Sequence, residues 1–129
     1  TRIAKEIAAR EHFLVREHGS GTRSGLEFFF GEIPDRNDHL GTEMGSNETI
    51  KQAVIAGLGI AFISGHTIGQ ELELGRLRIL DVEGMPIYRQ WFVISRADHS
   101  ETPVMAAFGS FLAENGEHYL PNLDTYLKT

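Results

Sequence analysis

Short apolar runs and helical stripes alternate along the first part of the chain. An apolar run at 13–15 predicts a strand over 12–17, and a short helix over 2–9 is predicted before it. After a glycine-rich turn, apolar residues recur at i, i+3, i+4 and i+7, which predicts an amphipathic helix ended by a polar loop at 34–37. The stripe of this helix consists of Leu26, Phe29, Phe30 and Ile33.

The same alternation continues into the middle of the chain. A sparser apolar pattern predicts a second strand over 40–45, and Ser46 or Asn47 then begins a helix as its N-cap. The stripe of that helix consists of Ile50, Ala53, Val54 and Leu58. A wholly apolar third strand is predicted over 60–63, as a parallel sheet covered on both faces requires.

The remaining pattern predicts two more strands and two more helices. A short helix over 67–74, stopped by Gly75, leads to a strand over 77–80, and the longest predicted strand lies over 88–96. The pair 102–103 (TP) then begins a helix, because proline suits the first helical position. The apolar face of this helix consists of Val104, Ala107, Phe108, Phe111 and Leu112.

The order of these elements indicates the fold class. A β-α-β-α-β-α-β order with short connections is typical of an open, mostly parallel sheet flanked by helices, and so of an α/β fold. An acidic, proline-containing link at 81–86 precedes the last strand and helix. We expect the chain to cross there between two lobes, and the tail after 115–116 either packs onto the protein or is loose.

Composition and charge narrow the class of protein. The 129 residues fit one compact domain, or one lobe with an appendage from a second. The balance of 12 Lys and Arg against 18 Asp and Glu gives a net charge of −6. Domains that bind a nucleic-acid duplex through their own surface usually carry a positive net charge instead. Cysteine is absent, which excludes disulfides and thiolate chemistry. No apolar run approaches the roughly 18 residues of a membrane span, and no signal peptide opens the chain, so we expect no membrane partner.

The first candidate site is the glycine-rich turn at 17–23 (EHGSGTR), between a predicted strand and its helix. Glycines let the backbone approach a ligand, and the helix N-terminus offers N–H groups with a partial positive charge, so the turn favours a phosphate or carboxylate. The pattern is neither a dinucleotide fingerprint, since Ser24 stands at the third glycine position, nor a P-loop. The alternative is a tight strand-to-helix turn in which serine and threonine act only as caps.

A second strand-to-helix junction follows at 45–52 (GSNETIKQ). If the strands are parallel, both helix N-termini converge on one carboxyl edge of the sheet, where ligands of open α/β folds bind. Taken singly, Ser46 or Asn47 is as readily explained as a plain N-cap. The glycines at 57–59 most simply end a helix, while 62–64, at the end of the next strand, is placed to line the same cleft.

Signals for catalysis and metal binding are weak. The six histidines lack a metal-ligand spacing such as His-Glu-x-x-His. No serine lies in a Gly-x-Ser-x-Gly elbow, and no carboxylate pair stands out for acid–base work. Asp35, Asp38 and His39 share a polar loop, where solvation explains them better than a site does. We therefore predict a protein that is not an enzyme and that holds no metal and no cofactor.

Two segments carry a resemblance to a known family. Residues 13–23 (FLVREHGSGTR) and 45–60 (GSNETIKQAVIAGLGI) are similar to LysR-type transcription regulators. Within that family they most resemble CbbR-type regulators of Rubisco and Calvin-cycle operons, and segments 75–77 and 80–87 extend the match. The resemblance implies a two-lobed sensor built like type 2 periplasmic binding proteins, and in the family a winged helix-turn-helix precedes it.

The resemblance also implies an assignment of lobes and of site residues. Residues 1–86 are expected to form the second lobe (regulatory subdomain II) of the effector-binding domain. Residues 87–129 are expected to form the returning strand and helix of the first lobe plus a C-terminal tail, with the helix-turn-helix absent. Family effectors sit between the lobes. Carried onto this sequence, the positions that hold them are Gly21, Thr22 and Arg23, Ser46 and Asn47, and Ile63 and Ser64. Arg16 adds a second cation suited to an anion.

The function implied by the resemblance is effector sensing in the cytoplasm. The expected effector is a small anionic metabolite, either a phosphorylated sugar or a nucleotide such as NADPH, bound in the interlobe cleft. The protein is expected to form a homo-oligomer and to contact DNA only through the absent N-terminal domain. One alternative is a lobe of a periplasmic-type solute-binding protein. Another is a small enzyme that holds a phosphorylated substrate at 19–25.

Overall fold

The computed structural model describes residues 1–34 and 40–127. The predictions made for the polar loop, including Asp35, Asp38 and His39, therefore lie outside the described residues. Over the described ranges, no helix is both long enough and apolar enough to cross a lipid bilayer.

The chain divides into two compact units. The first unit comprises Thr1–Pro86 and Leu123–Thr129, and the second comprises Ile87–Asn122. In chain order the helices and strands are α1 (Lys5–Ala8), β1 (Phe13–Arg16), α2 (Gly21–Phe30), β2 (Gly41–Met44), α3 (Asn47–Ile55), β3 (Ile60–Ala61), α4 (Gly69–Glu73), α5 (Pro103–Asn115) and α6 (Asp124–Leu127). A 3₁₀ turn at Gly65–Thr67 precedes α4, and another at Gly116–Tyr119 follows α5.

The first unit is built on a parallel three-stranded sheet in the order β2-β1-β3. β1 is central: Arg16, its last residue, lies opposite Met44, the last residue of β2, while Leu14 lies opposite Ala61 of β3. Because all three strands run in the same direction, their carboxyl ends lie at one edge of the sheet. This confirms the predicted α/β fold with a parallel sheet flanked by helices.

The alternating side chains of β1 divide the core into two layers. Phe13 and Val15 pack with residues of α2 and of the segment around α1, whereas Leu14 packs with Ile50 and Ala53 of α3. Successive strand side chains point to opposite faces of a sheet, so α2 and α3 cover opposite faces. The two helices that follow neighbouring strands therefore both begin at the carboxyl edge while lying on different sides of the sheet.

Glycines end two of these helices in the way that the sequence predicts. At Gly75, whose φ is +66°, the backbone N–H donates to the carbonyl of Leu72, and the next N–H, of Arg76, donates to Glu71. This pair of bonds is the Schellman arrangement, which needs a left-handed residue after the helix. Gly57, with φ +80°, ends α3 with the same pair of bonds.

Two strand predictions in the first unit need correction. The third strand covers only Ile60–Ala61 instead of 60–63, and no strand forms over 77–80. Just after this segment, the backbone makes an isolated parallel bridge between Ile3 and Val82. An apolar run predicts burial, but a strand also requires a neighbouring backbone with which to exchange hydrogen bonds.

The second unit confirms one prediction and corrects another. α5 begins where predicted, because the Thr102 hydroxyl accepts a hydrogen bond from the N–H of Met105 at 3.3 Å and Pro103 opens the helix. Residues 88–96 form no strand. Their apolar side chains are exposed, Trp91 to 77%. Most of the predicted apolar face of α5 is exposed too, Phe108 to 60%, because one helix and one extended segment supply no second layer.

Candidate anion-binding site at the carboxyl edge of the sheet

Arg16, the last residue of β1, joins the two strand-to-helix junctions. Its Nε and Nη2 donate to the two carboxylate oxygens of Glu17 at 2.7 and 2.8 Å. Its Nη1 donates to Oδ1 of Asn47, the first residue of α3, at 2.8 Å. A guanidinium accepts no hydrogen bond, so the amide oxygen of Asn47 faces Arg16 and the Nδ2 donor points elsewhere.

Arg23, in the first turn of α2, is held by three partners. Its Nε donates to Glu27 Oε1 at 2.8 Å, and its Nη1 donates to Glu43 Oε2 at 3.0 Å and to the carbonyl oxygen of Arg16 at 3.1 Å. The side chain is only 12% exposed. These contacts fasten the start of α2 to the ends of β1 and β2, so Arg23 acts chiefly by positioning the turn at 17–23.

The two helix N-termini at this edge differ in how they are capped. Ser20 is the cap residue of α2, and its side chain makes no capping hydrogen bond. Ser46 caps α3, with its Oγ accepting a hydrogen bond from the N–H of Thr49 at 3.1 Å. The first turn of α2, which contains Thr22, therefore receives no side-chain cap from Ser20.

We expect Ser46→Ala to lower the free energy of unfolding by about 1 kcal/mol, the usual cost of losing a capping hydrogen bond. Urea denaturation followed by circular dichroism measures this loss. Ser20→Ala is the matched control, because Ser20 is also an N-cap serine but makes no capping bond, and its cost is expected to stay within about 0.5 kcal/mol. Equal losses in the two variants would contradict the capping role of Ser46.

Ile63 and Ser64 follow the third strand at the same edge. Ile63 is partly buried against the cluster of Leu14, Ile50 and Ala53. The carbonyl oxygen of Ser64 accepts hydrogen bonds from the Thr67 N–H at 3.0 Å and from its Oγ1 at 2.7 Å. Ile63 thus belongs mainly to the core, while the backbone of Ser64 holds the 3₁₀ turn that leads to α4.

Carboxylates outnumber cations among the side chains that these contacts join. Two guanidiniums, of Arg16 and Arg23, meet the carboxylates of Glu17, Glu27 and Glu43. Hydrogen bonding to Arg16 lowers the pKa of Glu17 to about 2, and the same bond raises the pKa of Arg16. At neutral pH both members of this pair are charged, so each guanidinium at the edge already has an anionic partner.

The structure brings the predicted residues of the two junctions together. Arg16 contacts Asn47 through its side chain and Arg23 through its carbonyl oxygen, and the two junctions contain Gly21, Thr22 and Ser46.

Sequence reasoning missed the acidic partners. The contact between Arg23 and Glu27 could have been found from its i, i+4 helical spacing. Glu43 contacts Arg23 from β2, and that contact depends on a strand register that the sequence does not reveal. Glu17 lay within the first motif without being assigned a role.

The comparisons with known proteins identify the family. The model of the LysR substrate binding domain matches residues 1–117. The chain belongs to this family. This LysR substrate-binding domain is 62% identical over 119 residues to the HTH-type transcriptional regulator CbbR of Sinorhizobium medicae. The match covers 92% of the chain and 38% of the relative.

Further relatives support the same assignment. This LysR substrate-binding domain is 48% identical over 122 residues to CbbR of Xanthobacter flavus, covering 95% of the chain and 37% of the relative. It is 47% identical over 104 residues to the RuBisCO operon transcriptional regulator of Allochromatium vinosum, covering 81% and 34%. The chain thus spans little more than a third of the length of these curated relatives.

A solved structure agrees with the fold. The regulatory domain of CcmR from Synechocystis PCC6803, in complex with 2-PG, superposes with a TM-score of 0.73 at 33% sequence identity. The match covers 88% of this chain and 54% of the CcmR chain. The parallel sheet flanked by helices in this chain therefore has the fold of a LysR-type regulatory domain.

Proposed function

We propose that this chain is the effector-sensing part of a LysR-type transcription regulator of carbon-fixation genes, which binds a small anionic metabolite at the carboxyl edge of the sheet. The observation that carries the proposal is the hydrogen bond between Arg16 and Asn47, which places a guanidinium and an amide from two junctions side by side. The names of the relatives support regulation over the alternatives of solute transport and catalysis.

The chemistry at this edge suits a phosphate or carboxylate. Arg16 supplies charge and planar N–H donors, Asn47 supplies its Nδ2 donor, and the first turn of α2 at Thr22, which Ser20 does not cap, supplies main-chain donors. Arg23 and Ser46 position the two turns, and 63–64 borders them. 2-PG, bound by the CcmR domain, and phosphorylated sugars or NADPH fall within the class of ligand proposed here.

Binding would act through conformation and not through catalysis. An effector that binds one conformer more tightly than another shifts their populations by its differential affinity, with no bond made or broken in the effector. We assign residues 1–86 to the second lobe of a sensor and 87–129 to the returning part of the first lobe and the tail. We also propose that the protein contacts DNA through another domain, forms a homo-oligomer and is located in the cytoplasm.

Calorimetric titration of the full-length protein tests the site. The ligands are ribulose bisphosphate, phosphoenolpyruvate, ATP, NADPH and 2-PG, each titrated separately. For any ligand that binds, we expect Arg16→Gln to raise Kd by about 30-fold, since a charge-assisted hydrogen bond is worth about 2 kcal/mol. Asn47→Ala is expected to raise Kd by a smaller factor, because an uncharged donor contributes less.

The control for this experiment is Arg2→Gln. Arg2 also forms an ion pair, with Asp81 at 3.7 Å. It lines a concavity together with Ile60, the first residue of β3, at the amino end of the sheet. We expect an unchanged Kd in this variant. A ligand that binds with the same Kd after Arg16→Gln would show that the site lies elsewhere.

A further inference from the structure

We infer that Glu17 is an internal counter-ion that occupies Arg16 in the unliganded protein and that an anionic ligand must displace. The inference rests on the proposed function and deepens it, because it names the residue that sets the affinity of the site. The feature that carries it is the two-point contact between adjacent side chains at the carboxyl edge, with both carboxylate oxygens on one guanidinium.

The geometry of Arg16 shows why its partner matters. A guanidinium has five N–H groups, and three of those in Arg16 are engaged, two by Glu17 and one by Asn47. The pair of parallel N–H groups taken by Glu17 is the arrangement that a planar carboxylate or a phosphate requires for two-point recognition. The carboxylate of Glu17 therefore occupies the best anion-binding face of Arg16.

The placement of Glu17 makes it displaceable. Its side chain is 41% exposed, whereas that of Arg16 is 21% exposed. A half-exposed carboxylate that leaves its partner is taken up by water, so swinging it away costs little, as expected of an exposed ion pair. The Arg16 side chain stays beside Asn47 through its third nitrogen and remains in place for a new anion.

The other carboxylates at this edge serve a different purpose. Glu27 and Glu43 both bind Arg23, whose side chain is 12% exposed and also bonds the Arg16 backbone. Releasing either of them would loosen the attachment of α2 to the sheet. Of the three acidic residues, Glu17 alone pairs with Arg16, so its departure frees a cation without releasing the helix.

The test is a calorimetric titration of the full-length protein with ribulose bisphosphate, phosphoenolpyruvate, ATP, NADPH and inorganic phosphate, each separately, at low and at physiological salt. We expect Glu17→Gln to lower the Kd of every anion that binds by about 3- to 5-fold, since the variant removes a competing charge worth about one exposed ion pair. The gain is expected to shrink as salt is added, because the charges are partly exposed.

Two further variants make the result specific. In an Arg16→Gln background, Glu17→Gln is expected to change Kd by less than about twofold, because the two residues act as one coupled pair. Asp81→Asn, which removes a carboxylate paired with Arg2, is expected to leave Kd unchanged. Circular dichroism of each variant establishes that it is folded before titration.

The outcomes separate the two proposals. Weaker or unchanged binding in Glu17→Gln, or equal tightening with and without Arg16, would overturn the counter-ion role while leaving the site itself standing. If Arg16→Gln alone leaves Kd unchanged, or if the wild-type protein binds none of the anions, the proposed site is wrong and the role of Glu17 falls with it.

Discussion

Replacing Gly41 by alanine is expected to lower the free energy of unfolding by about 4 kcal/mol or to prevent folding, among the largest effects of a single methyl group. Gly41 has φ +142°, and a Cβ at this position would lie 1.7 Å from the carbonyl oxygen of Phe13 and 2.6 Å from its carbonyl carbon. Both atoms belong to the backbone of the central strand, so neither moves without disturbing the sheet. Urea denaturation followed by circular dichroism measures the effect.

Alanine variants of two other glycines are controls that distinguish the cost of a steric clash from the cost of a left-handed backbone conformation. Gly19 has φ +90° but no atom within 4 Å of an added Cβ, so Gly19→Ala is expected to cost about 1 kcal/mol from the left-handed conformation alone. Gly45 has neither a positive φ nor a nearby atom, and its replacement is expected to stay within about 0.5 kcal/mol. A Gly41→Ala cost no larger than that of Gly19→Ala would refute the close approach of β1 and β2.

The elements predicted well from the sequence are those whose partners are close along the chain. Leu26, Phe29 and Phe30 of the predicted stripe are buried, whereas Ile33 lies beyond the end of α2 and is half-buried. The N-cap at Ser46 follows from local hydrogen bonding. The prediction of a strand over 88–96 was wrong, because an apolar pattern indicates a tendency to be buried but does not identify a strand to pair with. Local chemistry is encoded within a few residues, whereas a sheet depends on a distant neighbour.

The candidate site was predictable to a similar extent. Two strand-to-helix junctions on parallel strands must meet at one edge, and Arg16 does touch Asn47 there. What could not be predicted is the pairing of charges, since the sequence shows Arg16 and Arg23 as two free cations. The strand register and the turn geometry supply each of them with a carboxylate. The positive charge that the sequence suggests is therefore largely neutralised in the folded protein.

Leu14→Ala is expected to lower the free energy of unfolding by about 3 kcal/mol, because it deletes buried methyl groups and leaves a cavity between the sheet and α3. Leu14 is 1% exposed and packs with Ile50 and Ala53. The same change at Leu74, which is 72% exposed, is expected to stay within about 0.5 kcal/mol. Chemical denaturation of the two variants measures the difference.

The same variant separates the scaffold from the site. Leu14 precedes Arg16 by two residues on the same strand and points into the layer covered by α3, so it supports the carboxyl edge without supplying a donor to it. Below the unfolding transition, the Kd of a bound anion in Leu14→Ala is therefore expected to stay within about twofold of the wild-type value, since the charged pair and its amide partner are retained. A binding loss as large as that of Arg16→Gln would instead mean that the packing of this layer, and not the chemistry of the edge, controls recognition.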